Sequence, residues 1–170
     1  MGLLDRLRPT AREHTFTVRV ADGSRSFQGR KGDTIWCSGY VPVEHSGASI
    51  GEAEHRTSDP RVYHCLVAGT HHNPSALGDR RFDPGSRITL RADPGNPSDP
   101  SAVGIWDAAG ALQVGYVPST LSRTVAAMLR RAAAPTGEVL RELRLGSAEG
   151  PRTALYVLIA PPGRIKLDIR

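Results

Sequence analysis

Turn-forming residues cut this chain into short pieces. Eighteen glycines and 13 prolines are spread along its 170 residues, so most elements between them must be short. Many short elements joined by turns is the pattern of an all-β barrel. Aromatic residues make up only 5% of the sequence, which makes the expected core aliphatic. The length suffices to bury one proper core.

Reading along the chain, residues 1–12 form a short basic helix or tail, and residues 13–60 a β extension followed by a polar loop. Within the extension, Thr15–Val20 alternates as a strand, and Ala21-Asp22-Gly23-Ser24 carries a hairpin signal. Ser26-Phe27-Gln28 and Ile35–Val43 are the next strands, and Glu44–Pro60 is the polar loop. Further strands are expected at Tyr63–Ala68, Arg87–Leu90, Val103–Trp106 and Leu112–Val117, with a short helix near Ser75–Leu77. Trp106, ending its strand, is expected in the core. A longer helix runs from Ser119 to about Ala133, capped by Ser119 or Thr120. Leu121, Val125, Met128, Leu129 and Ala132 share one of its faces, and Arg123 and Arg130 the opposite one. The strands Glu138–Leu145 and Ala154–Ala160 close the chain as a hairpin, and residues 163–170 are a tail.

The run Asp93–Asp107, DPGNPSDPSAVGIWD, packs three prolines and three aspartates against an apolar strand. Such residues pre-set turn dihedrals and bond their own backbone. They also leave Asp99 as a fixed acceptor at the mouth of a strand, available to a ligand. Both roles are open to Asn96 and Asp99 at this point.

Signatures of catalysis are missing: there is no GxxxxGK[ST] loop, GxSxG elbow, HExxH or GxGxxG. His64, Cys65, His71 and His72 lie within nine residues, but adjacent histidines and this spacing suit no zinc site. No metal or other cofactor is expected. Cys37 and Cys65 form no CxxC and are expected as thiols. The first residues lack the apolar core of a secretory signal, and no stretch reaches the roughly 18 apolar residues of a membrane helix. A cytoplasmic protein without membrane contact is the expectation.

The formal net charge of +5 is unevenly placed. Residues 1–118 hold 13 basic and 13 acidic side chains, whereas residues 119–170 hold 9 against 4. Arginine outnumbers lysine by 20 to 2, which suits forked contacts to phosphate. A polyanion partner fits this balance.

The order of motifs is informative. Val67-Ala68-Gly69 ends a strand, and Asn96-Pro97-Ser98-Asp99-Pro100-Ser101-Ala102-Val103 follows the next one. Gly115-Tyr116-Val117-Pro118 then enters the helix. This order resembles the HIRAN domain, with its V-x-G strand end, its N-P-x-D-x-x-A-[VI] block and its G-[YH]-[VIL] entry to a helix. The likeness covers roughly residues 63–161, within an expected domain at 61–162. It implies a small OB-like β-barrel with one or two helices and no catalytic activity, here preceded by an N-terminal β extension. Members of this family occur fused to helicases and nucleases of DNA repair and as free-standing bacterial proteins. The best understood of them bind the 3′ end of single-stranded DNA.

Carried over by motif, the resemblance makes Asp99 the acceptor of the terminal hydroxyl and puts Tyr116 at the G-[YH] position. His71 and His72 fall at the basic and aromatic positions after Gly69. Asn96 and Arg123 complete the set expected at the nucleic acid. Two departures stand out. Ser98 replaces an aromatic before the aspartate and cannot stack on a base, and a histidine pair replaces an arginine, which makes phosphate contact pH-dependent. The reading is therefore a non-catalytic module for single-stranded DNA, engaging its 3′ end, with DNA and repair, helicase or nuclease proteins as partners. Its alternatives are a protein-interaction module on the same barrel and, behind it, a metal-dependent nuclease.

Overall fold

The computed structural model describes residues 16–22, 25–29, 31–41, 61–131, 134–163 and 165–169. The expected tail at 1–12 and the polar loop at 44–60 lie outside them. Ten strands are present among the described residues: β1 (Phe16–Asp22), β2 (Arg25–Gln28), β3 (Thr34–Val41), β4 (Tyr63–Leu66), β5 (Arg87–Ala92), β6 (Val103–Asp107), β7 (Gln113–Tyr116), β8 (Thr136–Leu145), β9 (Arg152–Ala160) and β10 (Ile165–Ile169). Helix α1 (Pro74–Leu77) is a single turn, and α2 (Ser119–Leu129) is the one longer helix among these residues.

The strands form an open path, mostly antiparallel, with β8 as its hinge. One edge of β8 pairs with β9; its other edge meets β5 at Gly137 and Glu138, and β3 from Arg141 to Leu145. Order then runs β8-β5-β6-β7 on one side and β9-β4 on the other. The two ends of this path approach each other at one place. Ala68 and Tyr116 exchange two backbone hydrogen bonds, of 2.8 and 2.9 Å, just beyond β4 and at the end of β7. The fold is thus mainly β and OB-like, bridged at a single residue pair rather than laddered all round.

Alternation sets the interior. Ile88 and Leu90 of β5, Val103 and Ile105 of β6, and Leu155, Val157 and Ile159 of β9 point into one core, which Phe82 fills from the loop before β5. Each such side chain contributes roughly 1.5–3 kcal/mol by leaving water. Helix α2 covers one end with Leu121, Val125 and Ala126, while Met128 and Leu129 pack at its border. Ala132 lies outside the described residues. Arg123 and Arg130 are exposed, as the helical periodicity predicts. A smaller cluster of Val62, Leu140, Leu158 and Ala160 packs on the outer side of β8 and β9.

Four sequence expectations change. The Asp22-Gly23 signal does not mark a hairpin, because β1 and β2 both pair with β3 in one continuous antiparallel register, from Ala21↔Val41 to Gln28↔Thr34. The hairpin is instead β2–β3, closed by Gly29 N–H to Asp33 C=O at 2.7 Å. Residues 165–169 are not a tail: the alternating Ile-Lys-Leu-Asp-Ile pairs parallel to β1 as β10. Neither Ser119 nor Thr120 caps α2; Pro118 holds the cap position and no side chain from it accepts a bond from the helix N–H groups. A proline there is compatible because its missing N–H is one the helix start cannot use. Trp106 is not in the core, because Val103, Ile105 and Asp107 take the inward phase of β6 and leave it half-buried on the outer face.

A buried ionic cluster holds the loop before β5 to the sheet. The Arg152 guanidinium is 1% exposed and donates to Glu142 and Asp83 carboxylates and to the Leu77 and Asp79 carbonyls, the last two at 2.9 and 3.0 Å. Arg144 adds a forked pair to Glu142 at 2.7 and 3.0 Å. Asp107 accepts from the Ala111 and Leu112 N–H groups at 2.6 and 3.0 Å, fixing the β6–β7 turn.

Candidate nucleic-acid interface

The single bridge between β4 and β7 builds the site. Gly115 precedes Tyr116 because nothing larger fits: a Cβ there would stand 2.4 Å from the Ala68 carbonyl oxygen. After the bridge, Gly69 adopts φ +71°, a conformation side-chain-bearing residues avoid, and turns the chain into the 3-10 turn Thr70–His72. His72 and Tyr116 converge over this glycine. The Cδ2 atoms of both rings lie 3.7 Å from where a Cβ on Gly69 would start. The rings of His71 and His72 meet at 3.9 Å between centroids, tilted by 44°, and both are exposed.

The aspartate loop packs on the same end. The Tyr116 hydroxyl donates to Asp93 Oδ2 at 3.0 Å, tying the ring to the start of the loop. Asn96 Oδ1 accepts from the Ser98 and Asp99 N–H groups at 2.9 and 3.2 Å, so its placed role is a side-chain-stabilised turn. Asp99 Oδ1 accepts from the Ser101 N–H at 2.8 Å, and Oδ2 from the Ser122 hydroxyl at 2.6 Å. These bonds, Ser122 foremost, then Ser101, together with the charge of Arg123, hold the Asp99 carboxyl below the ordinary aspartate range. It is a half-buried anion with a fixed direction, beside the start of α2.

Of the residues expected at the nucleic acid, His72 and Tyr116 meet over Gly69, and Asp99 and Arg123 share the entry to α2. His71 lies against His72 with its ring tilted, and Asn96 sets the turn beneath Asp99. Ser98 is exposed. Asp93 and Ser122 were not singled out by sequence reasoning. Ser122 breaks the apolar face of α2 beside Leu121, and that single polar interruption was its only signal.

Among the described side chains of the last third, only part of the basic excess lies at the surface. Arg141 and Arg152 are buried, and Arg144 is bound to Glu142. Arg123, Arg130 and Arg131 are the exposed cations among the described side chains of residues 119–163. The His64–His72 run is divided as well. His64 is buried outside the main core against Tyr156, Cys65 is inside it, and the two other histidines are in the exposed turn. Among the described residues no three His, Cys, Asp or Glu side chains group as a metal site. Burial pushes the Cys65 thiol up to about 12, and neither Cys65 nor Cys37 is in a disulfide. No helix among the described residues is long and apolar enough to cross a membrane.

Residues 61–142 match the family model of the HIRAN domain, which supports nucleic-acid binding in general. No curated protein matches the chain. Among solved structures, the HIRAN domain of human HLTF is similar over 61% of this chain and 79% of its own, with 20% identity and a TM-score of 0.42.

Proposed function

We propose that this chain, which carries a HIRAN domain over residues 61–142, is a non-catalytic module that binds single-stranded DNA at its 3′ end. The observation that carries the reading is the Asp99 carboxylate. It is ionised, held from two sides by Ser101 and Ser122, and set at the same end of the barrel as the Tyr116 and His72 rings. Each carboxylate oxygen offers two acceptor sites, and each uses one internally, so capacity remains for a ligand hydroxyl. Tyr116 and the histidines offer the ring faces on which a terminal base can stack. Arg123 adds a forked cation beside the carboxylate.

A protein-interaction module on the same barrel is the second reading. It is favoured by Ser98 at the place of a stacking aromatic and by the small number of exposed arginines on α2.

The test compares fluorescent single strands ending in a 3′ hydroxyl or a 3′ phosphate. The DNA reading expects tighter binding to the hydroxyl end. It also expects a log–log salt slope of roughly −1.5 to −3, from about −0.7 for each of two to four phosphates neutralised. Equal binding to both ends removes the end-specific reading, and a flat salt response favours the interaction module.

A further inference from the structure

The outer face of β5, β6 and β7 carries an aromatic and a cation that the Asp99 site leaves unused. Register places Arg91, Gly104 and Tyr116 in one row across the three strands, and Thr89, Trp106 and Gln113 in the next. Ile88, Leu90, Val103, Ile105 and Val114 face the core from the same strands, so these rows face out. Gly104 leaves the sheet bare at the centre. The Trp106 indole nitrogen and the Gln113 amide nitrogen each lie 2.8 Å from where a Gly104 Cβ would be. The indole therefore lies down over the strand instead of standing off it. The Arg91 guanidinium sits over the same ring, 5.0 Å from its centroid.

A structural role alone explains this arrangement poorly. Trp106 is only half-buried, and Arg91 is exposed with no ion pair among the described residues. An exposed cation–π pair adds only about 0.5–1 kcal/mol. Of the acids near this face, Asp93 is engaged by the Tyr116 hydroxyl and Asp107 points inward to the β6–β7 turn. The guanidinium is thus the uncompensated charge of the patch. Strand geometry puts Trp106 about 8 Å from Tyr116, two residues along and one strand across. That separation suits successive nucleotides of an extended strand.

We propose that Trp106 and Arg91 form a second nucleotide platform, the guanidinium swinging off the ring to hold a phosphate and leaving the outer indole face to stack a base. It takes the nucleotides that precede the terminal one at Asp99. The occupant is single-stranded nucleic acid, continuous with the Asp99–Tyr116 site, and the proposal rests on the single-strand reading of that site.

The test titrates the full chain with oligothymidylates of one to six nucleotides bearing a free 3′ hydroxyl, following anisotropy and tryptophan fluorescence. Wild type should gain affinity as the second and third nucleotides are added, with quenching of the indole. Trp106→Ala should lose that gain, roughly ten- to a hundredfold for the longer strands, while the shortest strand binds as before. Trp106→Phe should recover most of it. Arg91→Ala should shallow the salt slope by about 0.7. If long strands bind Trp106→Ala and wild type alike, with unchanged melting and no quenching in wild type, the platform is refuted and the Asp99 reading stands. If wild type binds none of the strands, both fall.

Discussion

The Ser122 hydroxyl donates to Asp99 Oδ2 at 2.6 Å, joining the first turns of α2 to a loop 23 residues earlier in the chain. Ser122 is itself buried, so the carboxylate is aimed by the helix rather than only by its own turn. Asp99→Ala removes the acceptor while Asn96, Pro97 and Pro100 keep the turn. Binding to a free 3′ hydroxyl should fall roughly ten- to a hundredfold, the worth of one charge-assisted hydrogen bond, with binding to 3′-phosphorylated ends little changed. A folded Asp99→Ala protein that discriminates the two ends as wild type does would reduce this aspartate to a turn residue.

The same contact predicts an acid response. Asp99 has a lowered folded pKa, with the Ser122 bond as the largest cause. A depressed carboxylate stabilises the fold above its ordinary unfolded value of about 3.9, and that contribution fades as pH falls through the lower folded value. Ser122→Ala should therefore shift the Asp99 carboxyl titration, read by NMR, upward toward the ordinary value. It should also narrow the loss of melting temperature between pH 5 and pH 2. An unchanged Asp99 titration in Ser122→Ala would mean that Ser101 and Arg123 alone depress it.

Strand β5 and helix α2 are legible in the sequence because their burial alternates at strand or helix period, while β8 and β9, buried on both faces at Val139–Glu142 and Val157–Ala160, are legible as the hairpin around the Gly146–Gly150 turn. Trp106 is not, since the phase of β6 is decided by Asp107. That aspartate turns inward because Ala111 and Leu112 offer it two N–H donors. Nothing local in the sequence marks Arg152 and Glu142 for burial, for a related reason. The groups that make their burial tolerable, Asp83 and the Leu77 carbonyl, lie 69 and 75 residues from Arg152. For the site, Asp99 and Tyr116 stand out through their motifs, but their partners Ser122 and Asp93 are ordinary polar residues until the barrel folds. Local pattern carries elements; cross-chain polar pairing it does not carry.

Gly115 tests whether the bridge shapes the site. A methyl at this position would stand 2.4 Å from the Ala68 carbonyl oxygen and 2.8 Å from Val67 Cγ1. Backbone cannot yield as a flexible side chain does, so Gly115→Ala should force β7 away from Ala68. The expected cost is about 1–3 kcal/mol, as for overpacking elsewhere, and DNA binding should weaken because Tyr116 moves off His72. Hydrogen exchange at the Ala68 and Tyr116 amides reports the bridge directly. Protection there equal to wild type would show that the two segments accommodate the methyl.

Arg152 tests the buried ionic cluster, and its neighbours set the size of the effect. Its side chain is 1% exposed and its donors reach two carboxylates and two carbonyls from three segments. Removing it leaves Glu142 with the forked Arg144 pair and Ser38, and lets Asp83, 45% exposed, return to water. The Leu77 carbonyl, however, loses its donor next to the core residues Ala76, Leu77 and Phe82, while the Asp79 carbonyl keeps the Phe82 N–H at 3.1 Å. Arg152→Ala should therefore cost about 3 kcal/mol, the lower end of the range for breaking a buried pair, measured by urea unfolding. Arg152→Lys should recover little of it, because one ammonium cannot reach all four acceptors in the planes a guanidinium serves. Arg152→Met separates charge from volume: it refills the space without leaving a new charge. If the methionine variant is as stable as wild type, the cluster contributes orientation of the Leu77–Asp83 loop and no net stability. If alanine itself is within about 0.5 kcal/mol of wild type, as surface changes are, the cluster is solvated and its burial is overturned.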